Sequence, residues 1–141
     1  MKKIFFDTWG WVAIASKEDN YHRKVFSFYK DFLLKKGVPV TTDYVLSETI
    51  TLLKTRTDIG GVIVFIDAIL GAVNNGKIIL HRVDDKRWHK AWNLCKKYKD
   101  KPWISFVDFS SIIVMKELNI KEILTKDIHF ENVGPGFSKL F

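Results

Sequence analysis

Short apolar runs of strand character alternate with longer segments of helical period along this chain, and the switch repeatedly falls on an acidic residue: KKIFFD, VPVTTDYVLSE, SFVD and ILTKD. Strands separated by helices and short connections cannot pair as hairpins. They line up in parallel, with crossover helices covering both faces of the sheet. The expected class is therefore α/β, a three-layer α/β/α domain with a mostly parallel sheet. Ligands in such sheets bind in the crevice beyond the strand carboxyl ends. Asp7, Glu48, Asp108 and Asp127, each just past a strand-like run or on the first turns of the next helix, are expected to share that rim.

The elements follow from the period of the apolar residues. Residues 3–6 read as a buried strand, with a helix from about Trp9 to Ser16. A second helix spans about 20–36, carries Val25, Phe26, Phe28, Tyr29, Phe32 and Leu33 at three- and four-residue spacing, and has Gly37 placed to end it. Val38–Thr42 is the second strand, and Asp43 is a natural N-cap for a helix with Val45, Leu46, Thr49, Leu52 and Leu53 on its core stripe. Glu48 lies on the flank of that stripe. Asp58 to Gly61 opens an apolar helix that Asn75-Gly76 stops, and this helix is read as core or as part of a dimer contact. Lys77–Val83 is the third strand. A helix from about Asp84 to Tyr98 places Trp88, Ala91, Trp92 and Cys95 on a core stripe. Ser105 caps a helix to Leu118, Lys121–Lys126 is the fourth strand, and Val133–Leu140, broken by Gly134-Pro135-Gly136, offers a fifth.

A chain of 141 residues that is 47% hydrophobic suits one domain, residues 1–141. A net charge of +7 beside the acidic set places the positive potential elsewhere and favours a polyanionic partner. Cys95 is the only cysteine, which excludes an intrachain disulfide or a thiolate metal cage and makes the cytoplasm the simplest compartment. Asp7 interrupts what would otherwise resemble a signal-peptide core, and no apolar run approaches the ~20 residues of a membrane span, so no membrane association is expected.

Each carboxylate has a structural alternative. Asp7 can cap the helix that follows it, Glu48 can face solvent, Asp108 completes an S-x-x-D capping signature with Ser105, and Asp127 can open a turn. One shared location accounts for all four as a hard-cation site, which makes a divalent-metal phosphodiesterase the leading reading. Thr8, Ser105 and Thr125 would hydrogen-bond the carboxylates or a bound water. Arg56 and the basic helix residues Lys86, Arg87 and Lys90 are candidates for holding a polynucleotide backbone. The four histidines lack a spacing suited to zinc, and His129 reads as a loop residue beside Phe130. No G-x-S-x-G, P-loop or dinucleotide fingerprint occurs. Trp88 and Trp92 are assigned to the core, while Trp9, Trp11 and Trp103 fall nearer the acidic rim, where at least one could touch substrate.

FFDT at Phe5–Thr8, TTDYVLSETITLL at Thr41–Leu53, DKPWISFVDFSS at Asp100–Ser111, and LTKDIHF at Leu124–Phe130 with Gly136-Phe137 match the order and spacing of a known family. The chain resembles a PIN-domain ribonuclease of the VapC-like toxin branch over essentially its whole length. The resemblance implies a five-stranded sheet in the order 3-2-1-4-5 and Mg²⁺- or Mn²⁺-dependent cleavage of RNA. It puts the acidic site on Asp7, Glu48, Asp108 and Asp127. It also implies a possible antitoxin partner and a homodimer. Asp100 is shared by part of the family and is read as a supporting or loop-fixing carboxylate. Trp9 departs from the small polar residue many relatives carry there. Two other readings compete: a PIN-fold RNA-binding module without turnover, and a metal-dependent phosphatase of small phosphoesters.

Overall fold

The computed structural model describes residues 1–133 and 136–141. Five strands, β1 (Lys3–Phe6), β2 (Val38–Thr42), β3 (Ile79–His81), β4 (Glu122–Leu124) and β5 (Ser138–Leu140), form one sheet in the order β3-β2-β1-β4-β5. Every pairing is parallel. The helices are α1 (Thr8–Ala15), α2 (His22–Leu34), α3 (Asp43–Arg56), α4 (Ile59–Asn74), α5 (Asp85–Lys97), α6 (Phe106–Leu118) and α7 (His129–Asn132). The three-layer fold and the strand order agree with the sequence reading.

β1 is central because Ile4, Phe5 and Phe6 are buried on both faces. A continuous apolar run suits a strand covered by helices on both sides. Its register brings Phe5 opposite Val40 on one side and Ile123 on the other, so β1 and β4 end side by side. α1 then passes close over the end of β4. A Cβ added at Gly10 would stand 2.8 Å from Leu124 Cδ2 and 3.0 Å from the Leu124 carbonyl oxygen, so only glycine permits this approach. Trp11 is buried beneath α1, donating from Nε1 to Thr41 Oγ1 at 3.1 Å, and Thr41 in turn donates to the Phe6 carbonyl. That removes Trp11 from the residues expected near the rim.

Several local expectations differ. Thr42, not Asp43, caps α3, accepting from the Val45 amide at 3.1 Å. Asp43 is the first helical residue, and its carboxylate accepts from the Val83 amide, fastening the end of β3. β3 is shorter than Lys77–Val83 because the Lys77 and Ile78 amides donate back to Ala72 at the end of α4 instead of to the sheet. β4 is likewise only Glu122–Leu124. α2 closes with Lys36 at φ 62°, while Gly37 is required for a different reason: a Cβ there would overlap the Phe32 ring. The break expected at Gly134-Pro135 lies outside the described residues.

On α5 the buried side chains are Ala91 and Leu94, and Trp88 and Trp92 are 39% and 45% exposed, stacked with centroids 6.4 Å apart. The apolar arc of α5 is wide, and the helix turns Ala91 and Leu94 inward while the indoles lie along its edge. α4 buries Val62 and Ile69 but leaves Ile59, Ile63, Val64 and Leu70 exposed, so it is only partly core. Among the described residues no helix is long and apolar enough to cross a membrane.

Candidate active site

The side-by-side ends of β1 and β4 put Asp7 and Thr125 in contact: the Thr125 hydroxyl donates to Asp7 Oδ2 at 3.0 Å. The same Thr125 oxygen accepts from the Asp127 amide at 3.1 Å, so one hydroxyl sets both carboxylates. Asp7 occupies the N-cap position of α1, yet its side chain makes no capping hydrogen bond. The structural alternative for Asp7 is therefore absent, and its Oδ1 is buried with no hydrogen-bond partner. Ser105 does cap α6, accepting from the Asp108 amide at 3.1 Å. The cap fixes the first turn of α6 and thereby aims the Asp108 carboxylate into the crevice.

Asp7, Glu48, Asp108 and Asp127 all line one open cleft of about 560 Å³, together with Thr8, Ser105 and Thr125. Their charges act on each other. Burial first, then Asp108 and Glu48, push the Asp7 carboxyl up to about 7. Burial, then Asp127 and Glu48, push Asp108 to about 7 as well. Desolvation and like charge both disfavour the ionised form, and a bound cation is the physical remedy for both.

His129 joins this set, which the loop reading did not anticipate. Its backbone amide donates to Asp127 Oδ1 at 2.9 Å, and α7 begins there. Its ring Nδ1 lies 2.9 Å from Asp127 Oδ1 and 3.9 Å from Asp108 Oδ2, buried but out of line for a hydrogen bond. Ligand atoms from Asp108, Asp127 and His129 all fall within 4.8 Å of one another, as a metal ion would require. Aspartate followed two residues later by histidine, directly after a strand, was the available signal.

Arg56 lines the cleft and lies 3.8 Å from Asp19. The other basic candidates lie elsewhere. Arg87 Nε donates to Glu117 Oε2 at 2.9 Å and Lys90 lies 3.5 Å from Glu117, at the opposite end of α6 from Asp108 and about 13 Å further along its axis. Lys86 does not line the cleft either. Asp100 is exposed and pairs with its neighbour Lys101 at 3.0 Å, so it supports no other carboxylate. Lys126, not singled out from sequence, does line the cleft, with its Nζ 4.4 Å above the Tyr21 ring.

A parallel three-layer domain with a carboxylate cluster at its strand ends is an α/β fold with a candidate cation site. More particularly, the chain belongs to the PIN domain family, whose model matches residues 4–135. It is similar to VapC20 of Mycobacterium tuberculosis, a Sarcin-Ricin loop cleaving toxin, at 26% identity and TM-score 0.76, covering 93% of this chain and 95% of that one. VapBC2 of Rickettsia felis, solved with a DNA fragment of its promoter, shares the fold at 16% identity and TM-score 0.70, over 98% of this chain and 97% of that one. No curated protein sequence matches the chain.

Proposed function

We propose that this chain is a divalent-metal-dependent ribonuclease, one PIN domain over residues 1–141, whose catalytic carboxylates are Asp7, Glu48, Asp108 and Asp127. The observation that carries the reading is the buried, unpartnered Oδ1 of Asp7 in a cleft that also gathers Glu48, Asp108 and Asp127. A structural carboxylate would find a donor there; a ligand for a cation needs a free lone pair. The donor set of carboxylate oxygens suits Mg²⁺ or Mn²⁺, with His129 placed to add a nitrogen beside Asp108 and Asp127.

When bound, such an ion supplies a nucleophilic water and polarises the scissile phosphate. The chain's own residues set the geometry. Thr125 holds Asp7 and the turn to Asp127 in fixed relation. Ser105 orients the start of α6 and with it Asp108. Thr8, next to Asp7 in the chain, is buried with an unpartnered hydroxyl at the same cleft. Arg56 and Lys126 offer the cleft's positive charge to the RNA backbone.

The likeness to VapC20 supports the toxin side of this reading, with an antitoxin partner, a homodimeric state and a cytoplasmic location as its corollaries. The test is direct. Wild type is incubated with a pool of structured and unstructured RNAs and Mg²⁺, Mn²⁺ or EDTA, beside Asp7→Asn and Asp108→Asn. Cleavage that requires the cation and both carboxylates is expected. Cleavage in EDTA, or equal cleavage by the variants, overturns the assignment.

A further inference from the structure

The densest run of positive charge in the chain is Lys96, Lys97, Lys99 and Lys101, and the carboxylate chemistry uses none of it. Only residues 98–105 join the end of α5 to the start of α6, so this run lies at the end of α5 that adjoins Asp108. Arg87 and Lys90, tied to Glu117, lie at the other end. The joining segment is folded tightly: the Lys101 amide donates to the Tyr98 carbonyl at 2.8 Å and the Ile104 amide to the Lys101 carbonyl at 3.2 Å. Trp103 and Ser105, further along it, line the acidic cleft, and the lysines do not. The cations therefore stand beside the cleft and outside it.

Lysines in the last turn of a helix complement its macrodipole, which suffices for Lys96 and Lys97. It does not reach Lys99 and Lys101, which lie beyond the C-cap Tyr98. Among the described residues Asp100 pairs with Lys101 at 3.0 Å, and Lys96, Lys97 and Lys99 form no ion pair. Tyr98 gathers two of the charges. Lys97 Nζ lies 5.7 Å and Lys101 Nζ 5.6 Å from its ring centroid, and the ring lies nearly parallel to the buried Phe109 at 6.1 Å. The two ammoniums are no further apart than the sum of their distances to that ring, which is close to the ~10 Å Debye length at 0.1 M salt. Gathering long cationic side chains on one ring costs repulsion and side-chain entropy, and a ligand with several negative charges offsets both. The cleft calls for such a device. Its four carboxylates repel a phosphate backbone and Arg56 is shared with Asp19, so cations beside it hold what the carboxylates push away.

We infer that Lys96, Lys97, Lys99 and Lys101 form a phosphate-backbone anchor outside the acidic cleft, which holds the RNA where it continues past Trp103. This rests on the ribonuclease reading for its ligand and goes beyond it in assigning a second binding site with residues of its own. The anchor reads charge and not sequence, and it adds affinity only for RNA long enough to leave the cleft. An acidic protein surface is the competing occupant. RNA is favoured because the run is continuous with the cleft through Trp103 and Ser105.

The experiment separates binding from cleavage. Asp108→Asn protein with Mg²⁺ is titrated over a series of salt concentrations with fluorescent single-stranded RNAs of about 4 and about 24 nucleotides, below and above usual site sizes, and with polyglutamate. Adding Lys96→Gln, Lys97→Gln and Lys99→Gln together is expected to weaken the long RNA on the order of 10- to 100-fold at 0.1 M salt. Its salt slope becomes shallower by about 2, or ~0.7 for each lost phosphate contact, and the short RNA stays within about 2-fold. Lys96→Arg, Lys97→Arg and Lys99→Arg together keep wild-type binding. Lys3→Gln, Lys116→Gln and Lys121→Gln remove the same charge at the opposite end of the sheet, and a loss within about 3-fold is expected. All six lysines are exposed, so the fold is expected to survive, which circular dichroism checks. An unchanged slope, an equal loss for the short RNA, an equal loss from the distant triple variant, or polyglutamate binding that suffers more than the long RNA overturns the inference. Cleavage is scored separately, with KM for the long RNA raised and kcat unchanged in the Lys96→Gln, Lys97→Gln, Lys99→Gln chain that keeps Asp108. The expected binding pattern with no RNA cut by wild type keeps the anchor and defeats the ribonuclease reading. Long RNA cut by that triple variant with unchanged KM defeats the inference and keeps the ribonuclease.

Discussion

The floor and the rim of the same cleft are built on opposite terms. On the floor, Asp7 and Asp108 are buried carboxylates driven toward neutrality by burial and by each other. On the rim, Trp103 is an apolar ring left in water and Lys126 an exposed cation. The floor is fixed by the ends of β1 and β4, where Thr125 bridges Asp7 and Asp127, and by the Ser105-capped first turn of α6 that carries Asp108. The rim comes from loops and helix ends, where side chains change without disturbing the sheet. On the ribonuclease reading the two divide the labour, the floor carrying the chemistry and the rim meeting the substrate first.

The largest effects fall on the floor. Asp7→Asn and Asp108→Asn are each expected to lower RNA cleavage by more than about 100-fold, beyond the usual loss for a residue that merely supports a metal ligand, as read from initial rates in Mn²⁺. Thr125→Val takes the donor from Asp7 without adding bulk, and a fall in Mn²⁺ affinity of about 10- to 100-fold by calorimetry is expected. Gly10→Ala pushes a methyl against Leu124, and a stability loss of about 1–3 kcal/mol by urea denaturation is expected, with the carboxylates themselves unchanged.

The pH dependence runs in a definite direction. Folded Asp7 and Asp108 titrate near 7 instead of 3.8, so the folded chain holds protons that the unfolded chain has released. This contribution to stability is complete below about pH 4 and is lost as the pH rises through about 7. Relative to Asp7→Asn, metal-free wild type is therefore expected to lose ground between pH 5 and pH 8, by a melting-temperature difference on the order of 5 °C.

Changes at the rim are expected to be smaller. Smallest of all are those away from the cleft. Lys90→Ala removes a contact to Glu117 at the far end of α6, and RNA affinity unchanged within about 2-fold and stability within about 1 kcal/mol are expected. A larger loss of RNA affinity from Lys90→Ala than from Arg56→Ala would contradict the placing of the RNA contacts at the cleft.

Much of the floor was legible because its signals are local. Ile4-Phe5-Phe6 reads as a buried strand, Ser105 with Asp108 three residues on reads as a helix start, and the acidic residues follow at once. The rim and the surfaces were less legible because they depend on helix rotation. Trp88, Ala91, Trp92 and Leu94 span so wide an arc of α5 that the period does not say which side faces the sheet, and packing chose Ala91 and Leu94. Charge alone likewise drew Arg87 and Lys90 toward RNA, while the fold pairs them with Glu117. His129 escaped because a four-residue helix has no period to read. Its place follows from the turn that Thr125 and Asp127 build.

The most direct test of the floor is a thermal melt at pH 8 of wild type and Asp7→Asn, each with and without Mn²⁺. The account predicts a crossover. Without the ion Asp7→Asn melts higher, because a buried like charge has been removed; with saturating Mn²⁺ wild type gains more and melts higher. A variant that melts lower without the ion and responds to Mn²⁺ as wild type does would contradict the claim that these carboxylates are arranged for a cation.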